Sequence, residues 1–300
     1  MIKVAQREIF VEATDGTLLF VDDRGPTDGH LPVLFCLPGL TRNSRDFEPV
    51  FDSLTETRRV IGLDFRGRGR SAHAIDAKSY RPDVELADTL CVMDHLGLSR
   101  CAVLGTSRGG IVGMLMAAKA PQRIAGLLLN DVGAVLEPQG LLRIIEHVGM
   151  PARFRDWDEA AIGLARNSVG FKNVSHQMWR SAARRIYQYA NGGFVHRHDL
   201  RLANSLPSIA DIEGGKIANL WELLPALANL PSALLRGNGS DLLSKDTVEK
   251  MQIKLPTLDC TEIMGRGHVP FLDEPESVTA IARWLAAVDA NEKGQPKLTP

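Results

Sequence analysis

Apolar residues along this chain first alternate with polar ones and then bunch. Residues 8–13 and 17–22 are short strand-like stretches flanking Thr14-Asp15-Gly16, and Asp-Gly between two such stretches predicts a β-hairpin. Further on, the apolar positions form continuous runs at 33–37, 60–63, 101–104, 124–129, 233–235 and 258–264. A strand covered on both faces has no polar side, so these runs predict the central strands of a parallel sheet. Helical periods fall between them. Phe47, Val50, Phe51 and Leu54 mark one helix behind an Asn43/Ser44 cap, and Leu86, Leu90, Met93 and Leu96 mark another that stops at Gly97. Ile111, Met114, Leu115 and Ala118 mark a third ended by Pro121, and Val278, Ile281, Ala282 and Leu285 mark the last. Buried strands alternating with helices predict an α/β fold with right-handed crossovers.

The alternation breaks between about 134 and 230. That stretch has no buried-strand run, offers helical candidates at 141–148, 159–166 and 177–190, and holds four of the eight histidines. It reads as a mostly helical cap, 134–230, inserted into a core built from 1–133 and 231–290. The polar, proline-containing tail 291–300 is expected to be disordered.

Composition narrows the function classes. Three hundred residues with 44% hydrophobic content suffice for one large core carrying an insertion. A net charge of −1 gives no electrostatic reason to expect nucleic acid or an anionic membrane as partner, and the arginines at 66, 68 and 70 are only local. Residues 1–8 lack the apolar region of a secretory signal, and the near-apolar run 109–118 is too short to span a bilayer. Cys36, Cys91, Cys101 and Cys260 form no CxxC pair and read as reduced packing residues. A cytoplasmic enzyme with a small-molecule substrate is expected, with a homodimer left open.

The chemistry centres on Gly105-Thr-Ser107-Arg-Gly109, which follows a buried strand and opens a helix. G-x-S-x-G alone is a weak signal, and a serine before a helix is commonly no more than a cap. In a tight strand-to-helix turn, however, the residues two before and two after the serine must be small, and the turn lifts the hydroxyl to the C-terminal edge of the sheet, where open α/β sheets bind ligands. A serine nucleophile needs a base, and the base needs an acid to fix its tautomer. Asp241 follows the run 233–235, 134 residues after Ser107, and His268 follows the run 258–264, 27 residues later. These are the expected acid and base. Asp131, at the end of the run 124–129, is the alternative acid; it would otherwise be a turn aspartate at the entry to the cap. Two backbone N–H groups should receive the developing oxyanion, those of Arg108 and Leu40, with Gly39 allowing close approach.

Two other patterns carry less. Gly67 to Ala72 matches G-x-G-x-x-A, but the residues after it have no helical period to meet a pyrophosphate, so dinucleotide binding is set aside. His196-Arg-His198-Asp199 lacks a fourth ligand for zinc, and no metal or cofactor is expected. The cap arginines 180, 184, 185, 197 and 201 read as a solvated face, one of which could meet a substrate carboxylate.

From the hairpin to the helix ending near Val288 the chain resembles capped α/β-hydrolases. The motifs that carry this are Leu37-Pro-Gly39-Leu40, Asp64-Phe-Arg-Gly-Arg-Gly69, the Ser107 elbow, Arg236-Gly-Asn-Gly-Ser-Asp241 and Gly267-His268. Pro38 stands where many members have histidine. Serine at 107 argues against the dehalogenases and epoxide hydrolases of the fold, which use an aspartate nucleophile. The resemblance therefore implies a serine esterase or lactonase working through an acyl-enzyme, and a cap lying over the C-terminal edge of the sheet, where Ser107 sits, is expected to limit it to small or medium substrates. Carbon–carbon hydrolysis, acyl transfer, and a receptor that keeps the triad but only binds are the alternatives.

Overall fold

The computed structural model describes residues 5–190 and 192–294, the side chain at 294 excepted. The chain opens with the expected hairpin, β1 (Gln6–Glu12) and β2 (Leu18–Arg24), paired antiparallel with Phe10 opposite Phe20. Gly16 takes φ +83° in the turn, which only glycine adopts without strain. The apolar runs then become β3 (Leu34–Leu37), β4 (Val60–Leu63), β5 (Cys101–Thr106), β6 (Ile124–Asn130), β9 (Ser232–Gly237) and β10 (Asp259–Ile263). Together they form an eight-stranded sheet in the order β1-β2-β4-β3-β5-β6-β9-β10, antiparallel at β1/β2 and β2/β4 and parallel thereafter.

Continuous apolar sequence is what a doubly covered strand requires, and all seven residues of β6 are buried. Successive side chains of β3 point to opposite faces. Leu34 and Cys36 join Phe51 of α1 (Glu48–Leu54) and Trp284 of α9 (Pro275–Gly294). Phe35 and Leu37 join Met93 of α2 (Pro82–His95), Met114 of α3 (Arg108–Lys119) and Met251 of α8 (Lys245–Lys254). Trp284 is 2% exposed and donates its indole N–H to the Pro231 carbonyl at 3.0 Å, so a large apolar body is buried with its polar atom satisfied.

Among the described residues, the chain between β6 and β9 contributes no strand to this sheet. It forms α4 (Pro138–His147), α5 (Trp157–Asn167), α6 (His176–Ile186), a small antiparallel ribbon of β7 (Tyr187–Ala190) and β8 (Gly193–His196), and α7 (Ile209–Glu213). The helix expected at 177–190 therefore stops at Ile186. Beyond it the aromatic side chains pair across the ribbon, Tyr187 with His196 and Tyr189 with Phe194, and Gly192 turns at φ +78°. Cross-strand aromatic pairs favour a strand over one more helical turn.

The tail also departs from expectation. Residues 291–294 continue α9, and Glu292 pairs with Arg100 at 2.9 Å; 295–300 lie outside the described residues. All four cysteines are free thiols. Among the described residues no helix is long and apolar enough to cross a membrane.

Candidate active site

Ser107 joins β5 to α3 at φ +49° and ψ −111°. A non-glycine residue held there is strained by on the order of 1–3 kcal/mol, which the surroundings must enforce. They do so by close packing. A Cβ on Gly105 would lie 2.5 Å from the Gly109 backbone, and one on Gly109 would lie 2.0 Å from the Leu37 carbonyl oxygen. Both glycines of the motif are thus sterically required.

The serine Oγ lies 3.0 Å from Nε2 of His268, and Nδ1 of the same ring lies 2.7 Å from Oδ2 of Asp131. Asp131 follows β6, is fully buried and takes φ +56°. Its Oδ1 accepts the Gly237 N–H at 2.8 Å, and its Oδ2 also accepts the Ser240 hydroxyl at 2.6 Å. The carboxylate is therefore fixed in direction by the loop after β9, the loop expected to supply the acid itself. Asp241 does not reach His268. Its side chain turns the other way and forms an ion pair with Arg143 of α4. The position read as the alternative acid is the one on the imidazole, because Ser240, one residue earlier, already faces Asp131 and sends the next side chain outward.

The histidine loop is tied down equally firmly. A Cβ on Gly267 would lie 2.0 Å from the Val169 carbonyl oxygen, so this loop packs tightly against the segment between α5 and α6. After the histidine, Glu274 accepts the N–H groups of Phe271 and Leu272 at 2.9 and 3.0 Å and pairs with Arg266 at 2.6 Å. Asn130 donates to the Pro270 carbonyl and to Thr106 Oγ1, both at 3.2 Å, which links β5, β6 and this loop.

The two amides expected to hold an oxyanion flank Ser107. Arg108 is the first residue of α3, where backbone N–H groups have no partner in the helix and the helix dipole is positive. Leu40 follows Gly39, where a Cβ would lie 3.9 Å from Ser107 Cβ. Among the described residues neither amide donates a hydrogen bond within the protein. The Leu40 peptide is held from behind by Arg68, whose Nε donates to its carbonyl at 2.7 Å. Arg68 also donates to the Arg66 carbonyl at 2.7 Å, and it forms an ion pair with Glu85 of α2 at 2.6 Å. Both side chains of that pair are fully buried, and Arg108 stands 3.7 Å away on the other side of Glu85. Burial pulls the Arg68 guanidinium down from its usual range against the attraction of Glu85. Nothing in the sequence marks this network, since an acid among the polar residues of an amphipathic helix looks solvated.

The glycine-rich turn after β4 folds back on Asp64 and presents no helix N-terminus. Asp64 accepts the N–H groups of Ser44 and Arg70 at 2.6 and 2.8 Å, yet burial pushes its carboxyl up to about 6. His196 and His198 lie side by side, with ring centroids 4.5 Å apart, and Asp199 turns away to Tyr80 and Arg201. Among the described residues no three of His, Cys, Asp and Glu are grouped to hold a metal ion.

Ser107 and His268 open into a cavity of about 300 Å³. Gly39 to Arg42 and Val269 to Leu272 form its core side, while Ile144, Leu164, Trp179, Ile186, Tyr187 and His198 of the segment between β6 and β9 form the opposite wall. The chemistry such a cavity offers is one hydroxyl in contact with one imidazole, beside two unoccupied backbone donors.

Comparison with known proteins agrees with this architecture. The model of the α/β-hydrolase fold family matches residues 32–275. A 3-hydroxybutyrate-oligomer hydrolase of Cupriavidus necator is 31% identical over 259 residues, 84% of this chain and 88% of that protein. The crystal structure of an α/β hydrolase from Novosphingobium aromaticivorans superposes with a TM-score of 0.86 at 36% identity, covering 94% of this chain and 98% of that one. The structure of E-2-(acetamidomethylene)succinate hydrolase shares the fold at a TM-score of 0.74 and 22% identity, over 97% of this chain and all of the other. A sheet that lifts a strained serine above its edge and a match over most of the chain lead to the same place: this protein belongs to the α/β-hydrolase fold family and is a hydrolase.

Proposed function

We propose that this hydrolase cleaves small to medium carboxylic esters through an acyl-enzyme, with Ser107 as nucleophile, His268 as general base and Asp131 as the acid that orients it. The observation that carries this reading is the unbroken line from Ser107 Oγ through both nitrogens of His268 to Asp131, at 3.0 and 2.7 Å, on the floor of a cavity. With Asp131 accepting at Nδ1, that nitrogen carries the proton and Nε2 is left basic, as removal of the serine proton requires. Oγ attacks the ester carbonyl, and the negative charge that develops on its oxygen meets the amides of Leu40 and Arg108. His268 then returns the proton to the departing alcohol, and water repeats the cycle on the acyl-enzyme.

A cavity of about 300 Å³ lies at the lower end of the roughly 300–1,000 Å³ typical of ligand pockets, which favours compact acyl groups. Similarity to a 3-hydroxybutyrate-oligomer hydrolase supports short hydroxyacyl esters as the substrate class, with lactones of similar size next. The test is a fluorophosphonate probe followed by peptide mapping, together with a series of p-nitrophenyl esters. Labelling is expected at Ser107 and nowhere else, and acetyl to hexanoyl esters should be cleaved far better than palmitoyl. Labelling at another residue, or a chain-length profile that rises to palmitate, would refute the mechanism and the substrate size respectively.

A further inference from the structure

His198 follows β8 and is only 6% exposed, yet neither of its ring nitrogens has a hydrogen-bond partner among the described residues. Nδ1 of His196, stacked beside it, is also unpaired. Both rings line the cavity that holds Ser107. Buried polar side-chain atoms are nearly always paired, so several unpaired atoms in one cavity wall mark a place where a ligand completes the pairing.

The surroundings say what kind of ligand. The cations beside His198 already have anions of their own: Arg42 is bonded to both oxygens of Asp46 at 2.6 and 2.7 Å, and Arg68 is paired with Glu85. Burial first, then the ring of His196 and the charges of Arg68 and Arg42, push the His198 imidazole down to about 3, with Asp199 pulling weakly the other way. It is therefore neutral throughout the physiological range. A neutral imidazole offers one donor and one acceptor. An alcohol hydroxyl is also both donor and acceptor, so it can satisfy a pair of such rings. A carboxylate accepts only, and the two cations beside His198 are already paired; Arg185, which also lines the cavity and has no ion pair among the described residues, is not among the main charges acting on His198.

We propose that His198, with His196 stacked on it, is a hydroxyl-binding subsite in the wall of the Ser107 cavity, and that it selects esters bearing a neutral hydroxyl group. This rests on the ester-hydrolase reading above and adds a specificity residue to it. Tyr187 packs on His196 at 4.9 Å and keeps the pair facing the cavity.

The test compares kcat/KM for two matched pairs of esters that differ by one hydroxyl. In the first, p-nitrophenyl 3-hydroxybutyrate and butyrate, it sits on the acyl side; in the second, hydroxypropyl and propyl butyrate, on the alcohol side. Wild type should favour the hydroxylated member of one pair by about tenfold, as one well-made hydrogen bond allows. His198→Phe should bring that ratio to within about twofold of unity, and His198→Asn, which keeps a donor and an acceptor, should restore part of it. Labelling of Ser107 by the phosphonate probe checks that each variant is folded, and if the phenylalanine variant fails to label, the ratio in the asparagine variant decides. Ratios near unity for wild type in both pairs would overturn the subsite alone, as would an unchanged ratio in a labelled variant. Cleavage of none of the four esters would overturn the ester reading and the subsite with it.

Discussion

Replacing Asp131 by asparagine tests the line of hydrogen bonds where its logic is tightest. The wild-type carboxylate accepts three of them: the Gly237 N–H on Oδ1, and the Ser240 hydroxyl and His268 Nδ1 on Oδ2. Asparagine keeps the shape but converts one acceptor into an NH2 donor. If that donor takes the place of Oδ1 it faces the Gly237 N–H, so the amide settles with its NH2 toward His268 and Ser240. Ser240 can turn its hydroxyl; the imidazole must instead move its proton to Nε2, the atom that faces Ser107. A base protonated where it should accept is expected to lower kcat by on the order of 10⁴-fold, about 5.5 kcal/mol of transition-state stabilisation. Asp241→Asn is the control. Asp241 touches Arg143 and not His268, and loss of a partly exposed ion pair is worth about 1 kcal/mol, so kcat should fall by less than about tenfold. Steady-state kinetics on p-nitrophenyl butyrate with both variants, after circular dichroism has established that each is folded, gives the answer. Greater damage from Asp241→Asn than from Asp131→Asn would refute the assignment of the acid.

Three further outcomes follow from features around the site. Glu85→Gln leaves Arg68 buried without its counter-charge, and urea titration should show a loss of about 3–5 kcal/mol together with a fall in kcat, since Arg68 holds the Leu40 peptide. Gly109→Ala places a methyl group 2.0 Å from the Leu37 carbonyl oxygen, so β3 and α3 must separate; a destabilisation of at least about 1–3 kcal/mol and loss of Ser107 labelling should be seen together. The raised pKa of Asp64, about 6 against an ordinary 3.8, means that the folded state holds this proton more tightly than the unfolded chain does. Its contribution is fully present below about pH 4 and is lost as pH rises through about 6, a change of roughly 3 kcal/mol. Urea midpoints from pH 4 to 7 should therefore diverge between wild type and Asp64→Asn, and parallel curves would contradict the shift.

The strands were legible in the sequence because burial on both faces leaves no room for polar residues, as in β6. The elbow was legible because sterics permit only glycine at 105 and 109. Which aspartate meets the imidazole was not. β6 and β9 are neighbours paired level at Asn130 and Leu235, and the loops that leave them carry Asp131 and Asp241 at the same edge of the sheet. Only the direction of Ser240 separates the two, and no periodicity encodes it. The β7–β8 ribbon was missed because Tyr187 to Ala190 continue the apolar pattern of α6, and the aromatic pairing that turns them into a strand lies across the ribbon rather than along the chain. Glu85 was missed because its burial depends on Arg68, seventeen residues away in a turn that carries no periodic signal.

The contact of His268 with Asp131, just after β6, also bears on what the chain leaves open to redesign. Ser107 and Asp131 stand 24 residues apart, each just after one of two neighbouring strands joined by α3 and a single 3-10 turn at Pro121–Arg123. The long segment up to β9 is thus spliced in after this pair rather than between its members. Part of that segment also completes the core, since Leu141, Ile212, Leu224 and Leu227 pack in the same cluster as Phe35 and Met114. By contrast α5, α6 and the β7–β8 ribbon pack largely in clusters apart from that core, so they are the stretch most open to exchange. Transplanting that one contiguous stretch of gene between relatives would measure what it contributes to substrate preference.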